Sequence, residues 1–268
     1  WRPNFMLTNL HIYSGLGNVI AIIDAVRSDL SIDSTHVTNI CSVQGINFDQ
    51  LLVVLPPQKA DIDLDVKIYN KDGSLALNCI NGARCLAKFI KDNDLLVKEC
   101  FDVQTDGGIW NLEIIDDTTF TASFTFVEKV TKLSYEYDEN DINLSCLDLG
   151  NPHGVTFESL PQGSNFVELG KDLQNSDNFP EGINFGVAQI ISEDEINLRV
   201  YERGAGETLA CGSGACAAAV LGIIEKNLVS PVKVNFKLGS LLVDYQTEKE
   251  QIRAEGKAEF LEIKEIYI

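Results

Sequence analysis

Positive charge is scarce in this chain. Its 21 Lys and Arg stand against 40 Asp and Glu, for a formal net charge of −19 at pH 7. A nucleic-acid surface needs clustered Lys and Arg to displace counterions from phosphates, so no nucleic-acid partner is expected. Long apolar runs are also lacking. Stretches such as residues 19–23 and 51–55 are short, far below the ~18–20 residues that cross a bilayer, and no membrane partner is expected. The first residues do not read as a secretory signal, so the expected compartment is the reducing cytoplasm. Histidine is nearly absent, with only His11, His36 and His153. None of the seven cysteines (Cys41, Cys79, Cys85, Cys100, Cys146, Cys211 and Cys216) stands in a C-x-x-C pair. Structural zinc sites use such short-spaced pairs, so no metal is expected. A disulfide framework is not expected in so long a chain without a signal.

What is present is a globular composition, 45% hydrophobic over 268 residues, enough for one large or two medium domains. An internal repeat favours two. KIYNKDGSLALNCINGA (67–83) aligns without a gap on RVYERGAGETLACGSGA (199–215), pairing Tyr69 with Tyr201, Cys79 with Cys211 and Gly82 with Gly214. The same offset pairs Gly107 with Gly239. Nearby offsets pair Gly17 and Asn18 with Gly150 and Asn151, and Asn47 and Phe48 with Asn184 and Phe185. Such self-similarity marks two equivalent halves. The polar, charged stretch 128–143 reads as the least structured join. The expected domains are therefore 1–127 with 258–268, and 128–257, the last strand returning to the first half.

Within each half the pattern is strand-rich with one good helix. Residues 51–55, 66–69 and 198–201 are short, apolar and bounded by turn residues, as strands are. Asp72 with Gly73, and residues 204–206, read as turns. Residues 82–90 and 213–224 carry apolar residues at helical spacing. Strands dominate 109–127 and 241–268. Cys79 and Cys211 each stand just before one of the helices. A helix start carries unsatisfied N–H groups and a partial positive charge. That lowers a nearby thiol pKa and seats a carboxylate. A lone cysteine there is commonly just a small buried residue, but a duplicated pair at matched positions points to paired acid–base thiols. Cys41, Cys85, Cys100, Cys146 and Cys216 read as core. The glycine-rich run at 204–214 is not a P-loop, because no Gly-Lys-Ser/Thr follows.

GLGN (15–18), FDQLLVV (48–54), NGARC (81–85), GNPH (150–153) and ERGAGETLACGSGAC (202–216), in this order along the chain, resemble the diaminopimelate epimerase family. The resemblance implies an α/β (α+β) fold of two pseudo-symmetric domains, each a curved, mostly antiparallel sheet around a central helix, with the active site in the cleft between them. It implies cofactor-independent isomerisation of LL- to meso-diaminopimelate, for lysine and peptidoglycan precursor biosynthesis, in a cytoplasmic homodimer. The catalytic residues carried over are Cys79 and Cys211, one thiolate and one thiol, with His153 and Glu202. The substrate-binding residues are Asn18, Gln50, Asn70, Ile80, Asn81, Asn151, Asn184, Glu202, Arg203, Gly212 and Ser213. In this pattern the helix-start backbone and Asn81 hold the reacting carboxylate, Glu202 the α-ammonium, Arg203 the distal carboxylate, and the other asparagines the distal amino-acid end. The sequence departs from the family at Ile80, where a glycine is usual, and at Ser14, Val19, Ile20 and Asn47; the family's Met-Gly-x-Pro turn is not evident at 121–129. Two alternatives stay open: a related cofactor-independent racemase with another substrate, and a catalytically impaired epimerase-like binding protein.

Overall fold

The computed structural model describes residues 6–28, 30–126, 129–160 and 162–268. These fall into two compact units, one from the described part of Trp1–Phe124 with Glu255–Ile268, the other from that of Thr125–Ala254. The boundary expected between residues 127 and 128 falls on Val127 and Glu128, outside the described residues.

The first unit contains β1 (Leu7–Gly15), β2 (Asn18–Asp24), α1 (Ser34–Ser42), β3 (Gln50–Leu55), β4 (Leu64–Asn70), the two-residue β5 (Leu75–Ala76), α2 (Ile80–Asp92), β6 (Cys100–Thr105), β7 (Gly108–Ile114) and β8 (Thr119–Thr125). The second contains β9 (Thr131–Tyr137), β10 (Asn140–Asp148), β11 (Pro152–Thr156), α3 (Phe166–Gln174), β12 (Asn184–Ser192), β13 (Glu195–Glu202), β14 (Gly206–Thr208), α4 (Gly212–Lys226), β15 (Val232–Phe236) and β16 (Gly239–Gln246). The chain then runs through β17 (Gln251–Lys257) to β18 (Glu259–Tyr267), which pairs antiparallel with β1 in the first unit.

The strand order in the first unit is β18-β1-β2-β3-β4-β6-β7-β8, antiparallel except for the parallel pairs β2–β3 and β4–β6. The second repeats it as β9-β10-β11-β12-β13-β15-β16, with parallel pairs β11–β12 and β13–β15. Parallel neighbours cannot be joined by a tight turn and need a crossover, usually a helix. Each of the four parallel pairs has one: α1, α2, α3 and α4 lie between their strands in chain order. The sequence predicts only α2 and α4. α1 and α3 are the structure's addition, each nine residues long and headed by a side-chain cap, Asp33 and Asn165.

Both sheet faces near the parallel pairs are covered, which explains the unbroken apolar runs of β2 and β3. Ala21, Ile23, Leu51 and Val53 pack with Val37 and Ile40 of α1. Leu52, on the other face, stands close to Gly82 of α2. Most of α2 and of the first three turns of α4 is buried, as befits a helix enclosed by sheet. In the second unit Phe166, Leu169 and Leu173 of α3 pack on Ile183, Phe185 and Tyr201. The described part of 128–143, a stretch expected as the least structured join, instead contributes β9 and the start of β10, paired from Asn140 opposite Tyr137. The cause is a period-2 pattern among the charges: Leu133, Tyr135 and Tyr137 pack against the α3 core.

Candidate active site

In the first unit Cys79 is the N-cap of α2, in extended backbone conformation. Its Sγ accepts from the Gly82 N–H at 3.1 Å, so a thiol takes the place that Ser or Asp usually holds. Gly82 has to be glycine here, because a Cβ would stand 2.9 Å from that Sγ. Asn81 is buried, and its Oδ1 accepts from Arg84 Nη2 at 2.6 Å. Arg84 Nη1 donates to the Ile80 carbonyl at 3.2 Å. The Ile80 side chain is 2% exposed and belongs to the core.

Asn18 begins β2 after a tight turn at Gly17, whose φ is +84°. Its Nδ2 donates to Asp49 Oδ2 at 2.9 Å. Gln50 and Asn70 face each other across β3 and β4. Gln50 Nε2 donates to Asn70 Oδ1 at 3.0 Å, and Asn70 Nδ2 donates to Ser74 Oγ at 3.0 Å. The first unit thus groups Cys79, Ile80 and Asn81 at one helix start, and Gln50 with Asn70 on adjacent strands.

In the second unit Cys211 is the N-cap of α4. Its Sγ accepts from the Gly214 N–H at 3.3 Å and lies 3.6 Å from Ser213 Oγ. From Ser213 a polar line continues: Asn151 Nδ2 donates to Ser213 Oγ at 3.3 Å, and Asn151 Oδ1 lies 3.1 Å from His153 Nε2. Asn184 joins two segments, donating to the Pro152 carbonyl at 3.1 Å and accepting from the Arg203 N–H at 3.0 Å. Arg203 Nη1 donates to the Glu181 carbonyl at 3.0 Å. Glu202 Oε1 accepts from Thr208 Oγ1 at 2.5 Å. Asn151, His153, Asn184, Glu202, Arg203 and Ser213 therefore lie around β11–β13 and the start of α4.

The electrostatics differ from the sequence expectation at one point. Helix-end position predicts a lowered thiol pKa, and the Ser213 hydroxyl and Gly214 N–H do pull the Cys211 pKa down. Burial outweighs them, aided by the Glu202 carboxylate, and the Cys211 thiol is pushed well above the ordinary range. Cys211 rests as a thiol, with the Glu202 carboxylate among the groups that keep it protonated. His153 is buried, and desolvation, helped by the Arg203 charge, brings its pKa down to about 3. It is a neutral imidazole at physiological pH. Of the cysteines expected in the core, Cys85 and Cys216 are buried, the Cys85 pKa raised by desolvation, whereas Cys41 and Cys146 are half-buried and Cys100, at the start of β6, is exposed.

Sequence reasoning missed Asp49 and Ser74, which tie down Asn18 and Asn70. The signal was there: Asp49 stands inside the FDQ block, directly before Gln50. Among the described residues no group of three or more His, Cys, Asp or Glu is placed to hold a metal ion, and no helix is long and apolar enough to cross a membrane.

The model of the family described as diaminopimelate epimerase matches residues 10–128 and 145–261. The chain is 37% identical to diaminopimelate epimerase of Stutzerimonas stutzeri (strain A1501), over 94% of this chain and 95% of the relative. It is 35% identical to that of Teredinibacter turnerae, with the same coverage. Among solved structures, a PhzF-family phenazine biosynthesis protein of Bacillus anthracis superposes with a TM-score of 0.72 at 16% identity, covering 98% of this chain and 100% of that one. A hydroxyproline epimerase from Agrobacterium vitis, with bound trans-4-hydroxy-L-proline, gives 0.70 at 12%, covering 98% and 93%. At these identities the likeness concerns the fold.

Proposed function

The chain belongs to the diaminopimelate epimerase family and is an isomerase, and from that premise we propose that it interconverts LL- and meso-diaminopimelate with two thiols and no cofactor. The observation that carries this reading is the matched pair of cysteine N-caps, Cys79 on α2 and Cys211 on α4. In the proposed reaction one cysteine, as thiolate, takes the α-proton from one face of the α-carbon. The other, as thiol, gives a proton to the opposite face. The carbanion between the two steps keeps its electron pair in the adjoining carboxylate, where helix-start N–H groups stabilise the added charge.

Cys211 is suited to the donor role, since burial and Glu202 keep it protonated. In the reverse direction the roles exchange: forward turnover leaves the α-proton on Cys79 and Cys211 as thiolate, so Cys211 takes the proton and Cys79 gives one back, with no further acceptor needed. Neutral His153 holds Asn151, which in turn holds Ser213 beside the thiol. In this reading His153 donates or accepts a hydrogen bond without carrying charge. Asn81, Gly212 and Ser213 hold the reacting carboxylate, while Asn18, Gln50, Asn70, Asn184 and Arg203 read the distal end. The product serves lysine and peptidoglycan precursor synthesis, in a cytoplasmic homodimer.

The test is incubation with LL-diaminopimelate in heavy water under reducing conditions. Deuterium enters one α-carbon as the meso isomer forms, and both Cys79→Ala and Cys211→Ala fail to epimerise. A folded, reduced wild-type protein that neither exchanges nor epimerises this substrate overturns the proposal.

A further inference from the structure

We propose that Asp49 is a positioning residue that sets which end of the Asn18 amide faces the substrate, and so makes the site selective for an ammonium group at the non-reacting end. The inference rests on the epimerase reading above and deepens it.

Asp49 holds Asn18 by a local clasp. Its Oδ2 accepts from Asn18 Nδ2 at 2.9 Å and from the Val19 N–H at 2.7 Å, and its own N–H donates to the Val19 carbonyl at 2.8 Å. An ionised carboxylate only accepts. The side of the Asn18 amide turned toward it must therefore be the NH2, and Oδ1 is left as the outward group, an acceptor. The pseudo-equivalent Asn151 is held differently. Both ends of its amide are taken inside the second unit, by Ser213 at the helix start and by His153. The same turn thus carries an asparagine that serves a helix start in one unit and one turned to an aspartate in the other.

A second line in the same unit has the same polarity. Gln50 donates to Asn70, Asn70 donates to Ser74, and Ser74 Oγ donates to Asp72 Oδ1 at 2.6 Å. Every donor in the line points toward an aspartate, which leaves the Gln50 Oε1 as its outward acceptor. Two amides anchored on carboxylates thus both present oxygen. Oxygen acceptors recognise an ammonium and repel a carboxylate, so the pair selects for a distal amine.

The experiment compares LL-diaminopimelate with L-2-aminopimelate, which keeps both carboxylates and lacks the distal amine. Epimerisation or α-deuterium exchange is measured for wild type, Asp49→Ala and Asp49→Asn. Asp49→Ala lowers kcat/KM for diaminopimelate by about 10- to 100-fold, the scale of one hydrogen bond to a charged group. The loss falls mostly in KM, and exchange on aminopimelate is nearly unchanged. Asp49→Asn keeps an acceptor oxygen at the Oδ2 position and recovers most of the selectivity. Equal losses on both substrates, a loss in kcat alone, or an Asp49→Asn variant as unselective as Asp49→Ala would each overturn the inference. If Asp49→Ala does not fold, Ser74→Ala, which cuts the second line, carries the same comparison with the same expected ratio. A wild type that acts on neither compound brings down the epimerase reading and this inference with it. A wild type that acts on diaminopimelate, with variants that keep its selectivity, brings down this inference alone.

Discussion

Two glycines, one per unit, sit against the thiols. An alanine Cβ at position 82 would meet Cys79 Sγ at 2.9 Å, whereas at position 214 the nearest atoms, Cys211 Sγ among them, lie at 3.2 Å. Alanine is the better helix former by about 1 kcal/mol, so in Gly82→Ala stability and activity part company. Turnover should fall about 10- to 100-fold, the cost of displacing a reacting group by a fraction of an ångström to an ångström, while melting temperature stays level. Gly214→Ala should lose less; equal activity in both variants would refute the argument. Titration gives a second expectation. His153 has a folded pKa of about 3 against an ordinary 6.5, so the unfolded chain binds its proton first as pH falls. The stability from its neutral burial is complete above pH 6.5 and is lost between there and pH 3, on the order of a few kcal/mol. Urea midpoints at pH 7 and pH 4.5 should therefore diverge more in wild type than in His153→Asn. Glu202→Gln removes a negative neighbour, so the Cys211 thiol pKa should drop, read as a lower midpoint pH for alkylation at Cys211.

The helices show what could be read in advance. α2 and α4 were legible because apolar spacing, a preceding cysteine and the internal repeat agree. α1 was not: STHVTNICS is polar and rich in β-branched residues, poor helix formers. α3 carries a glycine, Gly170, in its interior, a poor helix former. Their caps, Asp33 and Asn165, were the available signals, and the parallel strand pairs they bridge could not be seen in sequence. Asn165 accepts from two N–H groups of α3, and Asn165→Ala should cost about 1 kcal/mol in chemical unfolding. Gly170 has a packing reason, since a Cβ there would stand 2.4 Å from the Tyr201 ring. Gly170→Ala should destabilise despite better helix propensity. Gly222→Ala meets instead a terminal methyl of Leu228 and should be tolerated better. At the site, the sequence pointed to the cysteines and amides but not to Asp49, because a carboxylate that orients another side chain leaves no spacing pattern of its own.

For the whole molecule, the repeat announced two equivalent halves but not where each begins. β9 precedes β10 in the chain and pairs with it; its counterpart beside β1 is β18, from the other end of the sequence. A repeat search aligns neighbours in sequence and so passes over a strand whose partners, from Ser14 with Glu259 to Leu7 with Tyr267, lie at opposite ends of the sequence. The arrangement bears on synthesis. Thr125–Ala254 is continuous, so the second unit has its own edge strand as soon as it leaves the ribosome. The first unit emerges earlier with β1 lacking a neighbour on one side, and gains that neighbour only once β18, which follows the whole second unit, has been translated. The half made first is thus the half finished last, and translation that stops between Ala254 and Glu259 gives a complete second unit and a first unit with an open edge.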